Sequence, residues 1–101
     1  MIETFGEYIR RHRMIKGLTL TQLAAKLNLD SANLSKIENG IRDFDIKRLD
    51  KLSVAFDTGL ESIQEEYFSD IIAKKIYETN CSDKVLVLAE KKIKYYRTIQ
   101  G

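Results

Sequence analysis

The stretch TLTQLAAKLNLDSANLSKIENG, Thr19 to Gly40, leaves a chain few ways to fold. Apolar residues recur at three- and four-residue spacing, so it reads as two short helices with a brief polar joint between them. Thr19 and Gln22 fit a capping box, in which hydroxyl and amide satisfy each other's backbone donors. The inward residues of this helix are Leu20, Leu23, Ala24 and Leu27. Asn28 follows, a residue type that tolerates the left-handed conformation of a tight exit. Asp30 or Ser31 caps the next helix, which ends at Asn39-Gly40. Around that helix Leu34, Ile37 and Ile41 fall on one side. Ala32, Ser35, Lys36 and Asn39 fall on the other, with Ser31 and Asn33 on the flanks. Small Ala24 and Ala25 allow a close crossing, so a short rod is braced from behind and bare in front.

The remaining segments are helical as well, and none alternates strictly. A first helix over about 2–15 turns Phe5, Ile9 and Tyr8 inward and stops at Gly17, a left-handed cap residue. A fourth covers about 45–56, with Ile46, Leu49, Leu52 and Phe56 at helical spacing. Asp57-Thr58-Gly59 breaks the chain before a long helix over about 60–79. Asn80-Cys81-Ser82 interrupts again, with Ser82 a suitable N-cap, and a last helix covers about 83–99. The expected class is all-α: a five-helix domain extended by a C-terminal helix or helical hairpin. The expected division is 1–62 and 63–101.

Totals exclude more than they identify. No apolar run approaches the roughly 20 residues that cross a bilayer, and the N-terminus lacks the apolar centre of a secretory signal. A cytoplasmic location without membrane contact is therefore expected. One cysteine, Cys81, and one histidine, His12, leave no transition-metal cluster to expect. No cofactor is expected, and no phosphate-cradling glycine loop or nucleophile motif points to an enzyme. The net charge is only +2, although residues 1–51 hold ten Lys/Arg against seven Asp/Glu, a surplus of three.

The bare helix suits the major groove of DNA, which is about 12 Å wide and admits one α-helix with its N-terminal residues near base edges. Small outward residues allow close approach, and a lysine such as Lys36 favours guanine, whose O6 and N7 both accept.

Here residues 5–56 resemble the helix-turn-helix domain of the phage-repressor-like (Xre/Cro) regulators. The matching residues are Gly17-Leu18-Thr19-Leu20-Thr21-Gln22-Leu23-Ala24, then Leu34-Ser35-Lys36-Ile37-Glu38-Asn39-Gly40, then Ile41-Arg42-Asp43-Phe44. The resemblance implies that Ser31, Ala32 and Lys36 read bases, with Asn33 beside them, on a recognition helix over about 31–39. It places Asn39 and Arg42 at phosphates and makes Arg13 and Glu38 an internal ion pair. Two departures stand out. The family's Gln at the start of the second helix is Leu20, so Thr21 or Gln22 is the expected replacement anchor, with Ser35 and Lys47 as further phosphate contacts. The Pro after Gly-x-Arg-x is Phe44.

The C-terminal third carries Ile71, Ile72, Ile76, Val85, Leu86, Ala89 and Ile93, too many apolar positions for a tail. Either these helices fold onto the core or they pair with a second copy. Regulators of this kind bind two half-sites about one DNA turn apart through a two-fold dimer. Ile71, Ile72, Ile76, Leu86, Ala89 and Ile93 are the expected dimer contacts. The leading expectation is a sequence-specific regulator, a repressor or autoregulator, acting as a homodimer on near-palindromic double-stranded DNA. The alternative is an interaction module or antitoxin whose main partner is another protein.

Overall fold

The computed structural model describes residues 1–100, and every regular element among them is helical. In chain order these are α1 (Phe5–Ile15), α2 (Leu20–Lys26), α3 (Ser31–Glu38), a 3-10 turn (Ile46–Arg48), α4 (Leu49–Phe56), α5 (Leu60–Thr79) and α6 (Lys84–Gln100). Two compact units divide the chain, one ending at Asp70 and the other beginning at Ile71.

Helix starts follow from local chemistry. Thr19 accepts from the Gln22 amide while Gln22 Oε1 accepts from the Thr19 amide, closing the box read from the sequence. A second box, Thr4 with Glu7, opens α1 at Phe5 rather than near Ile2. Asp30, not Ser31, caps α3, its carboxylate accepting from the Asn33 amide at 2.7 Å. Asn28 leaves α2 at φ 59° and Gly40 leaves α3 at φ 75°, left-handed values that suit Asn and Gly.

One core holds the first unit together. Phe5, Tyr8 and Ile9 of α1 meet Leu23 and Ala24 of α2 and Leu27 just after it, Leu34 and Ile37 of α3, and Leu49, Leu52 and Phe56 of α4. Each fully buried large side chain of this kind contributes about 1.5–3 kcal/mol. Phe44, standing where the resembling family has Pro, is buried in this core with its ring 5.5 Å from Phe5, edge to face. The Tyr67 hydroxyl donates to the Phe44 carbonyl at 3.0 Å. Ile63 is fully buried and Asp70 accepts from the Phe5 amide at 3.1 Å, so the first unit reaches past the expected limit at residue 62. α1 also lies close to α3: a Cβ on Gly6 would stand 2.8 Å from the Glu38 carbonyl oxygen and closer still to that of Ile37.

Three inward assignments change. Ile41, expected beside Leu34 and Ile37, is 75% exposed. α3 ends at Glu38 and Gly40 redirects the chain, so helical phase no longer applies there. Ile46 is exposed because a 3-10 turn, with its tighter winding, precedes α4. Leu20 is only half-buried, packed against the rim of the core.

In the second unit, Asn80 adopts φ 55° between the helices and Ser82 Oγ accepts from the Lys84 amide. Most large apolar residues of this unit are exposed, Val85 to Leu88 and Tyr95, Tyr96 and Ile99 among them. No described helix is long and apolar enough to cross a membrane, and no described cluster of three metal-ligating side chains occurs.

Candidate nucleic-acid interface

Leu34 and Ile37 are buried against the core, which fixes the rotation of α3 and turns the opposite side outward. Ala32, Lys36 and Asn39 are exposed on that side, with Ser31 and Ser35 half-buried at its edges. Ser31 occupies the first helical position, so its hydroxyl stands near the N-terminal end of the rod. Lys36, in the last turn, carries the one positive charge of α3.

The far end of α3 is held by Arg13. Its Nε donates to Glu38 Oε2 at 2.8 Å and its Nη2 to Oε1 at 3.1 Å, a two-pronged grip from α1. Nη1 of the same guanidinium donates to the Leu18 carbonyl at 2.9 Å, so one arginine joins α1, the entry to α2 and the end of α3. Both side chains are largely withdrawn from water. A buried pair of this kind adds little net stability over apolar residues of equal size, and orientation is what it supplies. It fixes where the last turn of α3 sits relative to α1.

The residues expected near phosphates fall in different settings. Thr21 and Gln22 are exposed on the first turn of α2, with Gln22 Oε1 engaged in the cap. Asn39 folds its Nδ2 back onto the Ser35 carbonyl at 2.9 Å. Lys47 is exposed on the 3-10 turn. Arg42 is exposed, and its Nη1 donates to Asn33 Oδ1 at 2.8 Å. Asn33 Nδ2 donates in turn to Asp30 Oδ2 at 2.9 Å, which engages both ends of the Asn33 amide.

Arg48 has a role that its sequence position gives no sign of. Its Nε donates to the Leu27 carbonyl at 2.9 Å, its Nη2 reaches the Asn28 carbonyl at 3.5 Å, and its Nη1 pairs with Asp45. It closes the open C-terminal carbonyls of α2 and so fixes the α2–α3 turn. Arg11 is likewise engaged, with Glu3 at 2.7 Å. That bond holds the Glu3 carboxyl below its ordinary pKa.

His12 packs between the rings of Tyr8 and Phe56, at 4.3 and 5.4 Å. Burial, and then the neighbouring Arg11 charge, push its pKa below the usual value. The expected dimer residues Ile71, Ile72, Leu86 and Ile93 are 43–50% exposed, Ala89 is exposed and Ile76 is half-buried.

Comparison with known proteins places these features. The helix-turn-helix family profile HTH_3 matches residues 9–63. Among solved structures, the restriction-modification controller protein C.AhdI from Aeromonas hydrophila is 30% identical, with a TM-score of 0.54 over 58% of this chain and 89% of that one. SinR, the master regulator for biofilm formation, solved in complex with DNA, is 29% identical with a TM-score of 0.54, over 60% of this chain and 98% of that one. The SinR/SinI protein complex aligns with 94% of this chain and 99% of its own at 22% identity and a TM-score of 0.54, a likeness of fold. No curated protein sequence gives a significant match.

Proposed function

The chain belongs to the helix-turn-helix family of DNA-binding transcriptional regulators, and from that premise we propose that it reads a near-palindromic double-stranded operator as a homodimer and represses from it, its own gene included. The observation that carries this reading is the outward side of α3. Buried Leu34 and Ile37 fix its orientation, and Ser31, Ala32 and Lys36 form a narrow surface that a major groove can accept. In this reading Lys36 reads guanine and Ala32 offers a methyl surface to thymine, with Ser31 at the groove floor and Asn33 beside them. Thr21, Gln22, Ser35, Asn39, Arg42 and Lys47 flank the groove and serve its phosphates. The likeness to SinR, which was solved in complex with DNA, supports the same partner.

Pairing through residues 63–101 supplies the second half-site. Ile71, Ile72, Leu86 and Ile93 are half-exposed in the single chain, and covering them with a second copy removes apolar surface from water. A second reading draws on the same exposure: the apolar helices receive a different protein, and DNA contact is secondary. The proposed setting is the cytoplasm, where such an operator is found.

Electrophoretic mobility shift with random and selected duplexes tests the proposal. A selected site is expected to bind at least 10³-fold more tightly than random duplex, and affinity is expected to fall steeply with salt as counterions are released. Equal affinity for all duplexes, or none, overturns it. Co-purification with a different protein by a chain without DNA affinity favours the second reading.

A further inference from the structure

We propose that Asn33 is a positioning residue rather than a base reader: tethered to Asp30, it aims the Arg42 guanidinium at the DNA. This rests on the DNA-binding reading above and adds a division of labour within it.

The geometry is a relay of three side chains. Asp30 accepts twice from residue 33, from its backbone amide at 2.7 Å and from its side-chain Nδ2 at 2.9 Å. The amide oxygen left over accepts from Arg42 Nη1 at 2.8 Å. Charge sets the order of the chain. Reversing the amide would face its NH₂ toward a guanidinium and its oxygen toward a carboxylate, two repulsive contacts. Direct readout of adenine by asparagine needs both the oxygen and the NH₂ presented to one base. In this chain they point to two different protein partners.

Arg42 reaches Asn33 because the backbone returns. After Gly40 the amides of Ile41 and Arg42 both donate to the Lys36 carbonyl, at 2.9 and 3.3 Å, which folds the exit loop back along α3. A loop arginine on a left-turning exit would otherwise sample many rotamers. One bond to a fixed amide removes much of that freedom and leaves the guanidinium's other donors for a phosphate oxygen. Asp30 is kept one residue away from Arg42 in this relay, so the positive charge is guided without being paired directly to a carboxylate.

The test is a double-mutant cycle on the full chain, with affinity measured by fluorescence anisotropy on a selected duplex and a panel of single-base variants. Asn33→Ala is expected to weaken every duplex by a similar factor, about 3–10-fold, leaving base preference unchanged. Arg42→Ala is expected to weaken all duplexes about tenfold or more and to reduce the salt slope by about 1. The double variant should match Arg42→Ala within about 2-fold, because Asn33 acts through Arg42. The Asp30 cap survives these changes, since the backbone amide of residue 33 remains, and circular dichroism checks it. Asn33→Ser repeats the measurement with a residue at home in a first helical turn. Losses that multiply in the double variant, or a changed preference at one base pair for Asn33→Ala, overturn the positioning role while DNA binding stands. If the unmodified chain binds no duplex, the DNA reading fails and takes this proposal with it.

Discussion

Arg13 on α1 and Glu38 at the end of α3 meet through two parallel hydrogen bonds of 2.8 and 3.1 Å, across 25 residues of chain. Because both groups are shielded from water, removing one partner is far more costly than removing both. Glu38→Ala strands the guanidinium and is expected to destabilise the first unit by about 3–5 kcal/mol. Replacing the pair together, Arg13→Met with Glu38→Leu, should restore most of that loss. Urea denaturation of the two variants beside the parent chain checks both statements.

Gly6 allows α1 to approach α3. An added Cβ would press on the carbonyl oxygens of Ile37 and Glu38, which are backbone atoms and cannot swing aside. Gly6→Ala is therefore expected to cost about 1–3 kcal/mol, as overpacking does. It should also weaken DNA binding, because α3 would be displaced from its seat. Thermal melting and anisotropy on one sample follow both effects.

His12 gives the fold a pH dependence of known sign. Its pKa in the folded chain lies below its ordinary value of 6.5, so the unfolded chain binds the proton more readily. Stability is full above that value and declines as pH falls from 6.5 toward the lowered pKa, levelling once both states are protonated. Melting temperatures between about pH 5 and 8 should fall on the acid side, and His12→Phe should remove this component. An unaltered acid-side decline in that variant would assign the proton elsewhere.

Lys36→Ala is expected to relax preference at one base position at a cost of about 1–3 kcal/mol, leaving other positions as they were. Site selection with the variant reads this directly. A uniform loss across all sequences would move Lys36 from the bases to the backbone.

Leu86→Asp tests the proposed pairing. A carboxylate on a half-exposed apolar position leaves a single chain's fold intact but cannot be covered by a second copy without desolvation. Sedimentation equilibrium should show the variant as monomer where the parent is dimer, with helicity unchanged by circular dichroism.

Much of this arrangement was legible because its signals are local. The Thr19–Gln22 box, the left-handed Asn28 and the 34/37 pair each state their geometry within four residues. The Thr4–Glu7 box carried the same signal and defines the start of α1, yet the apolar Ile2 ahead of it invites an earlier start. Ile41 and Ile46 went the wrong way because helical phase was extended past Gly40 and across a 3-10 turn. Phe44 and Arg48 carry no local sign of what they touch. Their partners, the Phe5 ring and the Leu27 carbonyl, are 39 and 21 residues away and are brought near only by the completed fold. The Asn33–Arg42 bond, nine residues apart, depends on the returning exit loop and is hidden for the same reason.

Ala32 and Lys36 stand outside the core, while the arginines that hold the helices together are turned toward carboxylates and carbonyls. On the proposed reading, architecture and address are thus written on separate residues. If the outward side of α3 meets DNA as proposed, exchanging its exposed side chains would redirect the chain to other duplexes while the buried residues and ion pairs beneath stay in place.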